Sequence, residues 1–171
     1  VPPGPPPAAA PVRVHRAAPG EWPLVRATRL RALADSPGAF GSTLAREEAF
    51  DEATWRTRVA DGDWFLARAG DEVVGIAAAV PSADDPADRE LVSVWVDPAH
   101  RGGPTATGLV ESSCAWAAAL GASTVSLRVT DANPRARRFY ERLGFRPTGE
   151  RRPLPRDPAL AEERMRRALE R

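Results

Sequence analysis

The sequence contains no lysine and no glutamine, a single isoleucine (Ile76) and a single cysteine (Cys114). Without lysine there is no Schiff-base nucleophile and no P-loop phosphate lysine. One cysteine allows neither an internal disulfide nor a thiolate zinc site. The two histidines, His15 and His100, are far apart in the chain, so no metal site is expected. No apolar run approaches ~18 residues, which argues against a transmembrane helix and a membrane role. The first residues lack a basic segment followed by an apolar core, so no signal peptide is expected. These absences point to a soluble, cytoplasmic protein. Charge of one sign is also missing in bulk. Basic residues number 24 against 23 acidic ones, a net charge of +1. That argues against a nucleic-acid partner held by bulk charge.

What is present is 171 residues rich in alanine, proline and arginine. At roughly 150 residues per domain this is about one domain, large enough to bury a core without staples. Every basic residue other than histidine is an arginine. We read that bias as a GC-rich coding sequence, not as selection for arginine chemistry. Residues 1–11, VPPGPPPAAAP, hold six prolines and no apolar face. They read as an extended or disordered proline-rich leader. Residues 12–171 then form the domain.

Hydrophobic spacing gives the element order. VRVHRAA alternates as a short strand from Val12 and is broken at Pro19-Gly20. A helix carries Ala27, Leu30, Leu33 and Ala34 and stops at Ser36-Pro37-Gly38. Residues 43–60 form a second helix in one or two pieces. WFLAR (64–68) and EVVGIAAAV (72–80) flank a hairpin signal. Residues 81–89 read as a polar loop and LVSVWV (91–96) as a strand. The turn His100-Arg101-Gly102-Gly103 leads into a long helix to about Leu120, with Gly121 at its end. TVSLRV (124–129) is a strand. Asn133-Pro134 opens a helix ended by Gly144, and one more strand follows. This is a mixed α/β layer architecture without internal repeats.

Two segments carry candidate chemistry. A glycine turn between strand and helix exposes backbone N–H groups at a helix N-terminus, where the dipole favours phosphate. RGGPTA has neither P-loop nor GxGxxG spacing, so on its own the turn is equally a steric device. Downstream, Asn133 suits an N-cap and Pro134 the first helical position. Tyr140 lies on the apolar face of that helix, where a tyrosine ordinarily packs.

In order, VDPAHRGGPTATGLVESSCAWA and TVSLRVTDANPRARRFYERLGF closely resemble the GNAT N-acetyltransferase superfamily. Arg101 and Ala106 match the ends of its first motif. Asn133, Ala136, Tyr140, Gly144 and Phe145 match its Asn-x-x-Ala-x-x-x-Tyr-x-x-x-Gly-Phe helix. The resemblance spans about 12–170. It implies a mixed, mostly antiparallel central sheet with flanking helices, in which the parallel strands 91–96 and 124–129 splay apart.

It further implies acetyl-CoA as cosubstrate, without a metal. The pantetheine arm would lie in the splay against the backbone of Val94, Trp95 and Val96. The turn through Arg101, Gly102, Gly103, Thr105, Ala106 and Thr107 would cradle the pyrophosphate. Asn133 would contact the pantetheine or fix its helix. Tyr140 would be the general acid that protonates the leaving thiolate, a role worth roughly 10²–10⁴ in rate. Cys114 reads as a buried apolar residue and not as a nucleophile.

Two positions depart from the pattern. Pro104 replaces the central glycine and removes one N–H donor. Arg128 stands where some members carry a glutamate. A base, if one is needed, is then Glu90 or a water on Ser93. The acceptor is a small-molecule or peptide amine, shaped by the first helical pair and by residues 36–50 and 81–90. Asp84, Asp85, Asp88 and Glu90 either steer a cationic amine or simply solvate their loop. Dimers are common in the family, so a homodimer is an allowed state. A non-catalytic acyl-CoA-binding module is the alternative from another class, since fold alone does not establish activity.

The C-terminal EERMRRALER (162–171) is built of helix formers. The resemblance implies instead a last strand over about 163–168, reached through the excursion PTGERRPLPRDPAL and completing the sheet edge.

Overall fold

The computed structural model describes residues 11–170. The expected leader, 1–11, lies outside the described residues apart from Pro11. In chain order the elements are β1 (Val12–Arg16), α1 (Trp22–Asp35), α2 (Leu44–Glu48), α3 (Glu52–Asp61), β2 (Asp63–Ala69) and β3 (Glu72–Pro81). There follow β4 (Asp88–Val96), α4 (Thr105–Ala119), β5 (Thr124–Thr130), α5 (Pro134–Arg142), β6 (Arg146–Leu154) and β7 (Asp157–Ala168). The strands form one seven-stranded sheet in the order β1-β2-β3-β4-β5-β7-β6. Among the described residues only β4 and β5 pair in parallel.

The sheet is covered on both faces, and strand alternation divides its side chains between two cores. On β2, Phe65 and Ala67 point to the core that contains Leu109 and Val110 of α4. Trp64 and Leu66 point to the core that contains Val25 and Leu33 of α1. The central strand β3 is buried on both faces from Val73 to Ala79. Its unbroken apolar run follows from that position, as in strands buried on both sides. Each such Val, Leu or Ile contributes about 1.5–3 kcal/mol. α4 sits close to the sheet because position 75 is glycine. A β-carbon there would meet the Trp95 carbonyl oxygen at 3.1 Å and Leu109 Cδ1 at 3.0 Å.

Helix α1 buries Val25, Thr28, Arg29, Ala32 and Leu33, a stripe at helical spacing. Arg29 is on that stripe and is neutralised by Glu47 of α2 through two bonds of 3.1 and 2.9 Å. Arg58 of α3 adds a third at 3.0 Å. Burial alone would raise the Glu47 pKa, but the two guanidinium partners more than offset it and hold it below the ordinary value. The run 43–60 resolves into two helices because each piece has its own cap. Thr43 Oγ1 accepts from the Arg46 N–H at 3.3 Å, and Asp51 Oδ1 from the Thr54 N–H at 2.8 Å.

The structure differs from the sequence reading at two places. Residues 81–89 are not all loop: β3 runs to Pro81 and β4 begins at Asp88. At the C-terminus the excursion 147–160 forms most of β6 and the start of β7. β7 lies between β5 and β6 and does not close the edge, which is β6. Backbone pairing on both sides overrides the helix propensity of EERMRRALER. Met165 enters the core, and Arg164 faces the opposite side of the sheet.

Candidate functional site

The site begins where the sheet opens. β4 and β5 pair only at Asp88↔Thr124, Arg89↔Val125 and Glu90↔Ser126. On the other side of β4, Val92 pairs with Ala78 and Trp95 with Ile76. Ser93 and Val94 therefore share the single partner position Ala77, which is a β-bulge. Ser93 adopts φ 61°, a left-handed conformation that costs a non-glycine residue about 1–3 kcal/mol. The bulge turns β4 away from β5, so the backbone of Val94 to Val96 has no strand neighbour on that side.

Asp88 anchors the base of the splay. Its carboxylate is fully buried. It accepts from Thr124 Oγ1 at 2.6 Å, Ser126 Oγ at 2.6 Å and Arg164 Nη2 at 2.8 Å. Three strands are thereby tied below the point of divergence. Asp88 is thus not one of the steering acids that its sequence position suggested. Asp84 approaches Arg164 and Asp85 caps its own turn. Neither is among the residues that line the cavities described below.

Above the splay is a cleft of about 460 Å³. Val94, Trp95 and Val96 line one wall, and Arg101, Gly102, Gly103, Ala106 and Thr107 line the end formed by the α4 N-terminus. Asn133 and Tyr140 line the opposite wall. Thr105 is buried at the first position of α4 and is not part of the lining. Gly102 has φ +82° and open space where a side chain would stand, so the turn presents backbone. Pro104 is the N-cap of α4, at φ −79°, which suits its ring. It lies one residue before the first helical position, and its carbonyl accepts from the Gly108 N–H at 2.8 Å. The first-turn N–H groups that follow have no carbonyl one turn back.

The Arg101 side chain turns away from that open turn. Its Nε donates to the Val96 carbonyl at 2.9 Å, and Nη2 bonds Asp35 at the end of α1. Asp35 also accepts from Ser36 Oγ at 2.6 Å and from Trp95 Nε1 at 2.9 Å. The Ser36 and Trp95 bonds, with Arg101 adding to them, lower its pKa to about 2. The Trp95 ring is therefore buried on the α1 side. The Val96 carbonyl already serves Arg101, which leaves fewer free backbone groups than the sequence reading assigned to 94–96.

Asn133 fixes its helix. Its side-chain oxygen accepts from the Ala136 N–H at 3.0 Å. That helix carries Tyr140, which packs edge-on to Phe139 and Phe145 with centroids 5.1 and 5.7 Å away. These apolar surroundings raise the phenol pKa above its ordinary value, with burial the sole cause. The hydroxyl is therefore protonated at neutral pH. Cys114 is buried, and burial pushes its thiol up to about 11, which leaves it without nucleophilic character.

Tyr140 also lines a second cavity of about 220 Å³ on the far side of the bulge. Glu90 and Ser93 are here, and Glu90 lies 3.9 Å from Arg128 Nε. Phe40 and Gly41 form one side, and Arg152, Pro155 and Glu162 of the last hairpin form another. Phe40 and Gly41 fall within the expected 36–50 segment. Arg29 lies on α1, within the first helical pair expected to shape the acceptor side, whereas the hairpin residues were not foreseen. They come from β6, β7 and the turn between them, and no local motif joins them to the rest of the site. Arg135 and Arg142 of α5, lining the larger cleft, were also missed. Their spacing of seven along one helix was the available signal.

Comparison with known proteins bears on the family and the fold. The family model "Acetyltransferase (GNAT) family" matches residues 30–145. The chain is 34% identical over 95 residues to N-acetyltransferase 8F1 of Rattus norvegicus, covering 54% of this chain and 43% of that protein. It is 36% identical over 87 residues to an uncharacterized N-acetyltransferase of Mycobacterium tuberculosis, covering 51% of this chain and 54% of that one. The chain thus matches about half the length of these relatives or less. Among solved structures, yncA from Salmonella typhimurium with its cofactor acetyl-CoA superposes with a TM-score of 0.73. The two are 17% identical, and the match covers 95% of this chain and 96% of that one.

Proposed function

The chain belongs to the GNAT acetyltransferase family, and from that premise we propose that it transfers an acetyl group from acetyl-CoA to a primary amine. The carrying observation is the position of Tyr140, which lines both the cleft above the splay and the smaller cavity beyond the bulge. A group at that junction can reach a donor on one side and an acceptor on the other. The larger cleft has the features a CoA arm needs: an unpaired strand edge at Val94 to Val96 and an open turn at Gly102-Gly103. The presence of acetyl-CoA in the Salmonella neighbour supports the same assignment.

In this reading the β4 edge orients the pantetheine arm by backbone pairing. The N–H groups of 102–103 and 105–107 hold the pyrophosphate at the helix N-terminus. Bound acetyl-CoA supplies the acyl carbon and a thiolate leaving group, so a C–S bond breaks as the N–C bond forms. Tyr140 holds a proton at Oη for the departing sulfur. It regains a proton from solvent, which receives the one the amine loses. Glu90, or a water on Ser93, lies on the acceptor side and can relay that proton. An amine that arrives neutral needs no such base.

Residues 12–171 act, in this proposal, as one N-acetyltransferase domain that works in the cytoplasm on a small-molecule or peptide amine. No described helix is long and apolar enough to cross a membrane.

Calorimetric titration with acetyl-CoA tests the donor site. Saturable binding is expected, and no binding up to millimolar concentration overturns the proposal. Binding without thiol release across an amine panel would instead identify a non-catalytic acyl-CoA-binding module.

A further inference from the structure

The acceptor cavity contains two guanidinium groups with unfinished hydrogen bonding. Arg29, with 6% of its side chain exposed, gives Nε and Nη2 to Glu47. Arg128, with 10% exposed, gives Nη2 to Glu150 at 2.5 Å and holds Nε 3.9 Å from Glu90. In both, Nη1 is enclosed and has no hydrogen-bond partner. Both side chains line the same cavity of about 220 Å³.

The carboxylates behind them are already shared. Glu47 also accepts from Arg58 at 3.0 Å, and Glu150 from Arg164 at 3.2 Å. Each carboxylate is divided between two guanidinium groups, and neither bonds the remaining Nη1. An enclosed donor without an acceptor carries the full cost of its lost hydration, and two guanidinium groups in that state line one cavity. The matching chemistry is a carboxylate, which the planar guanidinium binds through paired N–H···O bonds.

The cavity also holds the opposite charge. Glu90 and Glu162 line it, with Glu162 bonded to Arg152 Nε at 2.6 Å. Tyr140 closes the end that communicates with the larger cleft. A ligand with a cation at one end and an anion at the other meets both sets.

We propose that the acceptor is an amino acid with a free carboxylate, bound by Arg128 with Arg29 beside it, its amine directed toward Tyr140. This rests on the acetyl-transfer reading above and narrows its acceptor. Polyamines and other purely cationic amines leave both guanidinium ends unmet and bring excess positive charge to them.

The test uses purified protein saturated with acetyl-CoA and a thiol-release assay. Leucine, methionine, phenylalanine and glutamate are each compared with their own amide and decarboxylated amine. At least one amino acid is expected to exceed both of its analogues tenfold or more in kcat/KM. Arg128→Met is expected to reduce that preference at least tenfold through the amino-acid KM, and Arg128→Lys to restore part of it. Amides or amines used as well as their parent amino acids overturn the inference, as does a loss in Arg128→Met that is equal for all acceptors. The wild-type comparison stands even if a variant fails to fold. Direct calorimetry with CoA-loaded protein supplies the second readout, and no binding of any of the four amino acids up to millimolar concentration also overturns it. Failure of acetyl-CoA itself to bind overturns the parent reading and this one together. Acetyl-CoA binding without carboxylate preference overturns this one alone.

Discussion

The Arg156 guanidinium donates through Nε to the Phe40 carbonyl at 2.7 Å, joining two residues 116 apart in the chain. Its Nη2 donates to the Gly38 carbonyl at 2.8 Å. The turn after β6 is thereby pinned to the segment after α1. These are the two sides of the acceptor cavity, represented by Pro155 and Phe40.

Arg156→Ala is therefore expected to loosen the acceptor side and spare the donor side. A hydrogen bond that involves a charged group is worth about 1.5–3 kcal/mol, and every 1.4 kcal/mol is a factor of ten. Partial loss predicts an acceptor KM raised roughly tenfold, with acetyl-CoA affinity within threefold of wild type. Steady-state kinetics with each substrate varied in turn would show it. An unchanged acceptor KM would remove the clasp from the functional account.

Tyr140→Phe removes the proposed acid and keeps the ring packed between Phe139 and Phe145. The turnover number is expected to fall about 10²-fold or more, with the calorimetric affinity for acetyl-CoA nearly unchanged. The phenol pKa is raised by burial, so wild-type activity should show no alkaline decline from Tyr140 below pH ~10. The stability linked to the neutral phenol is fully present below the unfolded pKa and fades only as pH rises toward the folded one. A descending limb near pH 9 that disappears in Tyr140→Phe would contradict this.

The parts of the site visible in sequence are those that repeat a local signal. RGGPTA marked the α4 N-terminus and Asn133 marked the α5 cap, and both are where spacing put them. What stayed hidden depends on distant partners. Ser93 has an ordinary strand context, and its φ of 61° reflects the two-to-one register against Ala77. EERMRRALER reads as helix because propensity sees only neighbours, whereas β5 and β6 pair with it from either side. The arginines were discounted as compositional bias. Arg29, Arg128 and Arg164 nevertheless hold buried carboxylates or line the acceptor cavity.

Asp35 gives a prediction at acid pH. Its folded pKa of about 2 lies below the ordinary value of 3.8. A carboxylate depressed on folding stabilises the native state above its unfolded pKa and loses that contribution as pH falls through the folded one. Asp35→Asn should therefore be less stable than wild type by a constant margin above pH ~4. The margin should close as pH falls toward 2. Urea melts from pH 6 to pH 2.5 measure it, and a margin independent of pH would separate Asp35 from Arg101 and Trp95. The same variant removes the charge that holds Arg101, so a change in acetyl-CoA affinity is expected at neutral pH.

Asp88→Asn tests whether the base of the splay determines the cleft. The buried carboxylate takes three donors, Thr124, Ser126 and Arg164. Breaking a buried pair by removing one partner costs about 3–5 kcal/mol. For a domain of this size each kcal/mol shifts the melting temperature by roughly 2–4 °C. Asp88→Asn keeps an acceptor oxygen, so a drop near 10 °C is expected, with a larger one for Asp88→Ala. If pairing at residues 88–90 positions the diverging strands, acetyl-CoA affinity in Asp88→Asn should fall at temperatures well below its melting point. Combining Asp88→Asn with Arg164→Met should cost at least about 1 kcal/mol less than the two separate losses added together. Full additivity would show that Asp88 and Arg164 do not act as a pair. Normal acetyl-CoA affinity in a folded but destabilised Asp88→Asn would assign the network to stability alone.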